Sequence, residues 1–238
     1  MRVKLGLLII LCILSFGYLS AQDLNGRVSV GLHTGVTIFY GDVKKHEFAP
    51  SLRDPNEVRL AGGLQLTYAF NPYFSMRYYW ASGSLAGARP AQNDKFNARF
   101  NDHSVQAMIN MTSIFFYDED RAFIDIYGML GYGLVGFRTR RVTFDDNRLL
   151  SQFGYSRDNP SEAIKPTREL SIPVGVSLRT RVDRFLPGYR SYGWDKLELM
   201  LDIMLFLVNT DKLDALETGS GKDRYSYFSF GAAYFFLD

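Results

Sequence analysis

Beyond residue 22 the chain alternates apolar and polar side chains with a period of two, the spacing of strands whose two faces meet different surroundings. Leu197, Leu199, Leu201, Ile203, Leu205 and Leu207 share one face of such a strand, and Glu198, Met200, Asp202, Met204 and Phe206 share the other. Leu170, Ile172, Val174, Val176 and Leu178 alternate in the same way with Glu169, Ser171, Pro173, Gly175, Ser177 and Arg179. Val58, Leu60, Leu64, Leu66, Tyr68 and Phe70 oppose Arg59, Ala61, Gly63, Gln65 and Thr67. Similar segments cover roughly 27–40, 74–82, 104–116, 122–137 and 224–236, which predicts eight strands. No run of 18 uninterrupted apolar residues occurs in this region, so the pattern offers no spanning helix there.

The predicted connections alternate in length: 41–57 long, 71–73 tight, about 83–103 long, 117–121 tight, 138–167 longest, 181–195 intermediate and 209–223 long. Short turns at one end and long loops at the other are the rhythm of an all-β fold, the eight-stranded antiparallel up-and-down transmembrane β-barrel. The 181–195 connection, with Pro187, Gly188 and Gly193, is longer than that rhythm expects.

A soluble eight-stranded barrel alternates as well, and three features favour lipid. The polar face is rich in glycine (Gly31, Gly35, Gly63, Gly131, Gly133, Gly175, Gly231), which suits a crowded barrel interior better than a solvated strand. Aromatic residues gather at strand ends. Phe70, Tyr73, Phe74, Phe115, Phe116, Tyr117, Tyr234, Phe235 and Phe236 are expected as a periplasmic girdle, and Tyr40, Tyr78, Tyr79, Trp80, Phe137 and Tyr225 as an outer one. Most segments also supply the ~9–11 residues of a tilted spanning strand.

Residues 1–21 read as a signal peptide: Arg2 and Lys4 precede an apolar stretch, and Ser20-Ala21 offers a small-residue cleavage zone. The expected mature domain is 22–238, exported to the cell outer membrane of a Gram-negative envelope. Removing the leader takes two of the 27 Lys+Arg and none of the 25 Asp+Glu, leaving 25 against 25. A neutral chain has no long-range field to gather nucleic acid. Cys12, the single cysteine, leaves with the leader, which excludes disulfides, zinc thiolates and thiol chemistry from the mature protein.

Several segments together resemble the small OmpA-like outer-membrane β-barrel proteins of Bacteroidota, within a group that includes an accessory barrel of the type IX secretion system. They are Gly35-Val-Thr-Ile-Phe-Tyr-Gly-Asp42, Phe70-Asn-Pro-Tyr-Phe74, Tyr127-Gly-Met-Leu-Gly-Tyr-Gly133, Ile172-Pro-Val-Gly-Val176 and Asn209-Thr-Asp-Lys-Leu-Asp214. The resemblance runs over nearly the whole mature chain, and Tyr-Gly-Asp and Thr-Asp-Lys-Leu-Asp are its distinctive elements. The sequence is expected to end with the barrel, without the peptidoglycan-binding domain of full OmpA proteins, and the resemblance implies secretion-system components as partners.

Candidate chemistry is sparse. Arg77, Asp125, Arg179, Glu198 and Asp202 fall at inward positions of the periplasmic half, where charges must pair or be solvated; they form either a salt-bridged plug or a gated ion path. Of the histidines, His33 lies on the polar face, His46 in the first loop, and His103 beside Ser104 on the opposite face. A lipid A-modifying barrel of the deacylase type needs His and Ser two apart on one outward face, so no catalytic residue is assigned. Asp118-Glu119-Asp120 and Asp145-Asp146 lack the spaced ligands and central glycine of a calcium loop, so neither a metal nor a cofactor is expected. Arg138, Arg140 and Arg141 stand where they can grip lipopolysaccharide phosphates. Tyr234 and Phe236, in the aromatic closing strand, are the expected signal to the barrel assembly machinery. The reading is a non-enzymatic structural or accessory interaction protein of the cell envelope, with a small porin-like channel as the alternative.

Overall fold

The computed structural model describes residues 27–43, 57–115, 123–156, 158–185, 194–216 and 222–236. The leader expected at residues 1–21, His46 and the acidic triplet 118–120 lie outside these. Nine strands form one antiparallel sheet: β1 (Arg27–Tyr40), β2 (Val58–Ala69), β3 (Phe74–Arg89), β4 (Asp94–Asn110), β5 (Asp125–Thr143), β6 (Leu149–Phe153), β7 (Thr167–Arg181), β8 (Leu197–Val208) and β9 (Arg224–Phe235). Neighbours run β4-β3-β2-β1-β9-β8-β7-β5, and pairing of β4 with β5 closes the ring. Eight strands therefore make the barrel. The short β6 is extra, taking up the β5 edge at Thr139–Val142 above the point where β7 leaves it.

Parity sorts the side chains. Leu32 is 64% exposed, Leu60 73%, Leu130 59% and Phe230 57%, each on the outward face among other apolar residues. A belt of this size around a closed barrel is stable in lipid and costly in water. Inward positions hold polar and charged side chains with the small glycines between them. Gly35 and Gly63 show why: a Cβ on Gly35 would collide with the Phe228 carbonyl, and one on Gly63 with the Trp80 carbonyl.

Turn chemistry is legible at two places. Asn71 Oδ1 accepts the amides of Tyr73 (2.9 Å) and Phe74 (2.7 Å), an Asx-turn that closes β2 to β3. The short helix α1 (Met111–Phe115) follows β4, and Asn110 Oδ1 caps it by accepting the Ser113 amide at 3.2 Å.

The structure corrects the expected loops. Residues 83–103 are not a long loop: β3 and β4 run on to Arg89 and from Asp94, joined by one turn in which Asn93 is left-handed (φ 53°). Here the pattern changes sense. Phe96, Ala98 and Phe100 point in, while Lys95, Asn97, Arg99 and Asn101 point out, because the wall has left lipid for water. The 138–167 loop likewise begins as strand to Thr143 and contains β6, and the segment expected as strand to residue 116 stops at Asn110. The outer girdle is thinner than expected: Tyr79, Phe137 and Tyr225 are fully buried inside, whereas Tyr78 is exposed outside.

Candidate functional site

The lumen holds a layered set of buried charged side chains. Its layers build upward from the end bearing the tight 70–73 turn. In the lowest, Arg179 Nη1 donates to Glu198 Oε2 at 3.0 Å and Nε to Ser177 Oγ at 3.1 Å, with the guanidinium 5.2 Å over the Tyr127 ring. Asp125, grouped with these by parity, stands aside and pairs with Arg184 at 3.0 Å.

Next comes Arg77, wholly buried. Its Nη1 donates to Asp202 Oδ2 at 2.6 Å and to Gln65 Oε1 at 2.9 Å, while Nε and Nη2 share Gln106 Oε1 at 3.0 and 2.6 Å. Ser177 donates to the other Asp202 oxygen at 2.5 Å, and the Tyr79 ring covers the guanidinium at 4.5 Å. Five inward strands, β2, β3, β4, β7 and β8, thus converge on one bidentate-type network. The cluster is balanced: Arg77 and Arg179 against Glu198 and Asp202. Removing such charges from water is costly, and pairing with hydrogen bonds to the remaining donors offsets the cost.

A neutral layer follows. His33 Nε2 faces the Trp80 carbonyl at 3.2 Å; a carbonyl only accepts, so Nε2 carries the proton and Nδ1 accepts from the Tyr79 hydroxyl at 3.2 Å. The Tyr227 hydroxyl lies 3.0 Å from the same Nδ1 and also reaches the Ala61 carbonyl at 3.1 Å. Higher still, Asp102 accepts from Ser171 (2.8 Å) and Tyr225 (3.1 Å), and Phe206 stacks on Tyr225 with centroids 4.6 Å apart. Phe39, Phe96, Leu85, Val43 and Leu213 complete the fill. Sequence reasoning places Gln65 on the polar face but not in the charged cluster, and it does not single out Gln106 or Asp102; parity alone marks all three as inward.

The outer rim holds a second set. Asp94 accepts from Arg89 (2.6 Å) and Arg141 (2.7 Å). Burial opposes its ionisation, but the two guanidiniums outweigh that and hold its carboxyl below the usual range. The three arginines expected as one grip are thereby divided. Arg141 faces in toward Asp94; Arg140 faces out, stacks 3.8 Å over Tyr155 and donates to the Pro160 carbonyl; Arg138 donates Nε to the Ile164 carbonyl at 2.9 Å. His103 is on the lipid side, its Nδ1 2.7 Å from the Tyr78 hydroxyl, with Ser104 buried inside. Its same-face neighbours along the strand are Asn101 and Val105, so no His–Ser pair forms. Tyr234 and Phe236 lie exposed at the tight-turn end, ring centroids 5.3 Å apart.

No protein-family model matches this sequence, and no curated protein matches it. Among solved structures, a major outer membrane protein from Thermus thermophilus is 11% identical, with 89% of this chain and 99% of that one covered and a TM-score of 0.48. Ail, the attachment invasion locus protein of Yersinia pestis, is 12% identical over 89% of this chain and 99% of its own, at a TM-score of 0.46. The outer membrane enzyme PagL is 10% identical over 87% and 98%, at 0.34. Such likeness assigns no role to any residue. The fold is established by the closed sheet itself: this chain is an eight-stranded transmembrane β-barrel.

Proposed function

We propose that the chain is a non-enzymatic scaffold barrel of the Gram-negative outer membrane, delivered there by the 1–21 leader and serving as an accessory interaction protein of the envelope. Outer-membrane barrels keep short turns and chain ends in the periplasm and extend their longer segments outward; the long β3–β4–β5 wall then stands outside the cell. The observation that carries the scaffold reading is the Arg77–Asp202 bridge, which crosses the interior with both side chains buried. An eight-stranded barrel has room for side chains and little else, and this network fills it. The resemblance of its distinctive motifs supports a protein-secretion machine as the partner.

Two measurements test this. In a planar bilayer the purified barrel is expected to show no conductance steps; steady steps that change in Asp202→Asn would replace the scaffold with a pore. Affinity purification of the tagged protein from outer membranes in mild detergent is expected to recover secretion components reproducibly. Recovery of the barrel alone at native expression would remove the accessory role.

A further inference from the structure

One sector of the outward wall turns from apolar to cationic as it rises. Trp80, His103, Leu134 and Leu170 are cross-strand neighbours on β3, β4, β5 and β7, all facing lipid. The next residues up that face bring Arg168 of β7 opposite Gly136 of β5. Above these, Arg99 of β4 stands directly opposite Arg138 of β5. Like charges placed opposite one another across strands repel. No side-chain partner relieves Arg99 or Arg168 among the described residues, although both are exposed. Arg138 is tethered through Nε to the Ile164 carbonyl and leans over Gly154, on the side of β5 away from β4, so the sector's cations spread from β4 to β7.

The ground between the cations is low. A Cβ on Gly136 would have nothing nearer than the Asn101 carbonyl at 3.8 Å and the stem of Arg168 at 3.9 Å. Directly below, Trp80 Nε1 donates to Asn101 Oδ1, and Tyr78 bonds His103, the amphipathic aromatic arrangement that settles at headgroup depth. The opposite wall differs: its outward neighbours Leu60, Val36 and Phe228 stay apolar.

We infer that Arg99, Arg138 and Arg168 form a site for the phosphate-bearing headgroup of an outer-leaflet lipid, whose acyl chains lie on the apolar wall beneath. Guanidiniums recognise phosphate through paired charge-assisted hydrogen bonds, and a bound phosphate offsets the positive charge that Arg99, Arg138 and Arg168 gather on one face of the wall. The site rests on the outer-membrane reading, because that reading sets this end of the barrel against an outer leaflet of phosphorylated lipid A.

The test titrates the detergent-purified mature barrel with bisphosphorylated lipid A, with the same lipid after phosphatase treatment, and with inorganic pyrophosphate, counting bound molecules by native mass spectrometry. One bisphosphorylated lipid is expected per barrel, with binding weaker by roughly tenfold or more for the dephosphorylated lipid and for Arg99→Gln/Arg168→Gln. Arg224→Gln, a substitution on β9 outside the sector, is expected to bind as wild type does. Both arginines of the double variant are exposed and have no side-chain partner among the described residues, so its heat-modifiable mobility should be normal and folding is controlled. Equal affinity for the dephosphorylated lipid, or an unaffected double variant, would overturn the site. Pyrophosphate binding as tight as lipid A would overturn the lipid assignment. Sucrose-gradient fractionation away from the outer membrane would instead remove the reading on which the site rests.

Discussion

Arg77 and Asp202 meet at 2.6 Å from opposite walls of the barrel: β3 and β8 are four strands apart in either direction around the closed ring. Their contact is a cross-brace, tying together segments that share no hydrogen-bonded edge. It also sits in a network with Gln65, Gln106 and Ser177, so each charge has several partners.

That geometry predicts an asymmetry between single and paired substitutions. Asp202→Asn or Arg77→Met leaves a buried charge without its counterpart and is expected to cost about 3–5 kcal/mol. The double variant Arg77→Met/Asp202→Leu removes both charges and is expected to regain most of that loss. Urea unfolding of the purified barrel in detergent, followed by the mobility change on heating, measures both. A double variant no more stable than the singles would show that the brace acts through something other than charge pairing.

Interior crowding gives a second expectation. Gly63→Ala places a methyl group against the Trp80 carbonyl and 2.9 Å from His33 Cε1, so strands β2 and β3 must separate. Overpacking of this kind costs about 1–3 kcal/mol. Gly128→Ala, whose new Cβ meets only Met111 Cε at 3.8 Å, is the comparison and should unfold close to wild type. Equal urea midpoints for the two variants would count against the close approach at Gly63.

The barrel was readable because lipid imposes a strict rule on parity. From Leu197 to Leu207 every second side chain is apolar, and that alone places Glu198 and Asp202 inside. The rule lapsed above the belt, where Asn97, Arg99 and Asn101 face water and the same strand reads as a polar loop. It was also silent on runs such as Tyr78-Tyr79-Trp80, in which either parity satisfies an aromatic pattern. Which inward residues touch was beyond the sequence altogether. Arg77 finds Asp202 only once strand order and stagger have closed the ring, and the Asp94 carboxylate claims Arg141 only because β4 and β5 stay paired that far out.

Outside the membrane, the loop before β9 should loosen as pH rises. Asp214 accepts the amides of Val43 (3.1 Å) and Leu216 (3.0 Å), and Asp223 that of Leu213 (2.8 Å), so the two carboxylates pin this loop to the end of β1. Burial, then the Asp214 charge, pushes Asp223 up to about 8; burial pushes Asp214 up to about 6. Asp42 and Asp211 add to the negative field around both, and Asp214 and Asp42 act in turn on Arg89. An unfolded aspartate ionises near pH 4. Between about pH 4 and pH 8, therefore, the open loop releases protons that the docked loop retains, and docking weakens as pH rises. Hydrogen-exchange protection of the Leu213 amide, corrected for its intrinsic rate, should fall by up to roughly a hundredfold per pH unit between about pH 4 and 6, where both carboxyls contribute, and by up to roughly tenfold per unit between about 6 and 8, where Asp223 alone does. Asp223→Asn keeps an acceptor for Leu213 and should flatten the profile; an unchanged slope in that variant would assign the effect elsewhere.

The closing strand separates folding from delivery. Phe236 is 59% exposed and touches Tyr234 edge-on, and its amide donates to the Val28 carbonyl at 2.9 Å, a bond that survives any side-chain change. Truncating so exposed a ring should alter stability by less than about 1 kcal/mol once the barrel is formed. If Tyr234 and Phe236 are read by the assembly machinery, Phe236→Ala will lower the folded barrel recovered from membranes while the refolded variant keeps a wild-type urea midpoint. Quantifying the heat-modifiable form in cells against the refolded standard checks both halves. A normal cellular level would free Phe236 from any part in assembly, and a lowered midpoint would make its contribution one of stability.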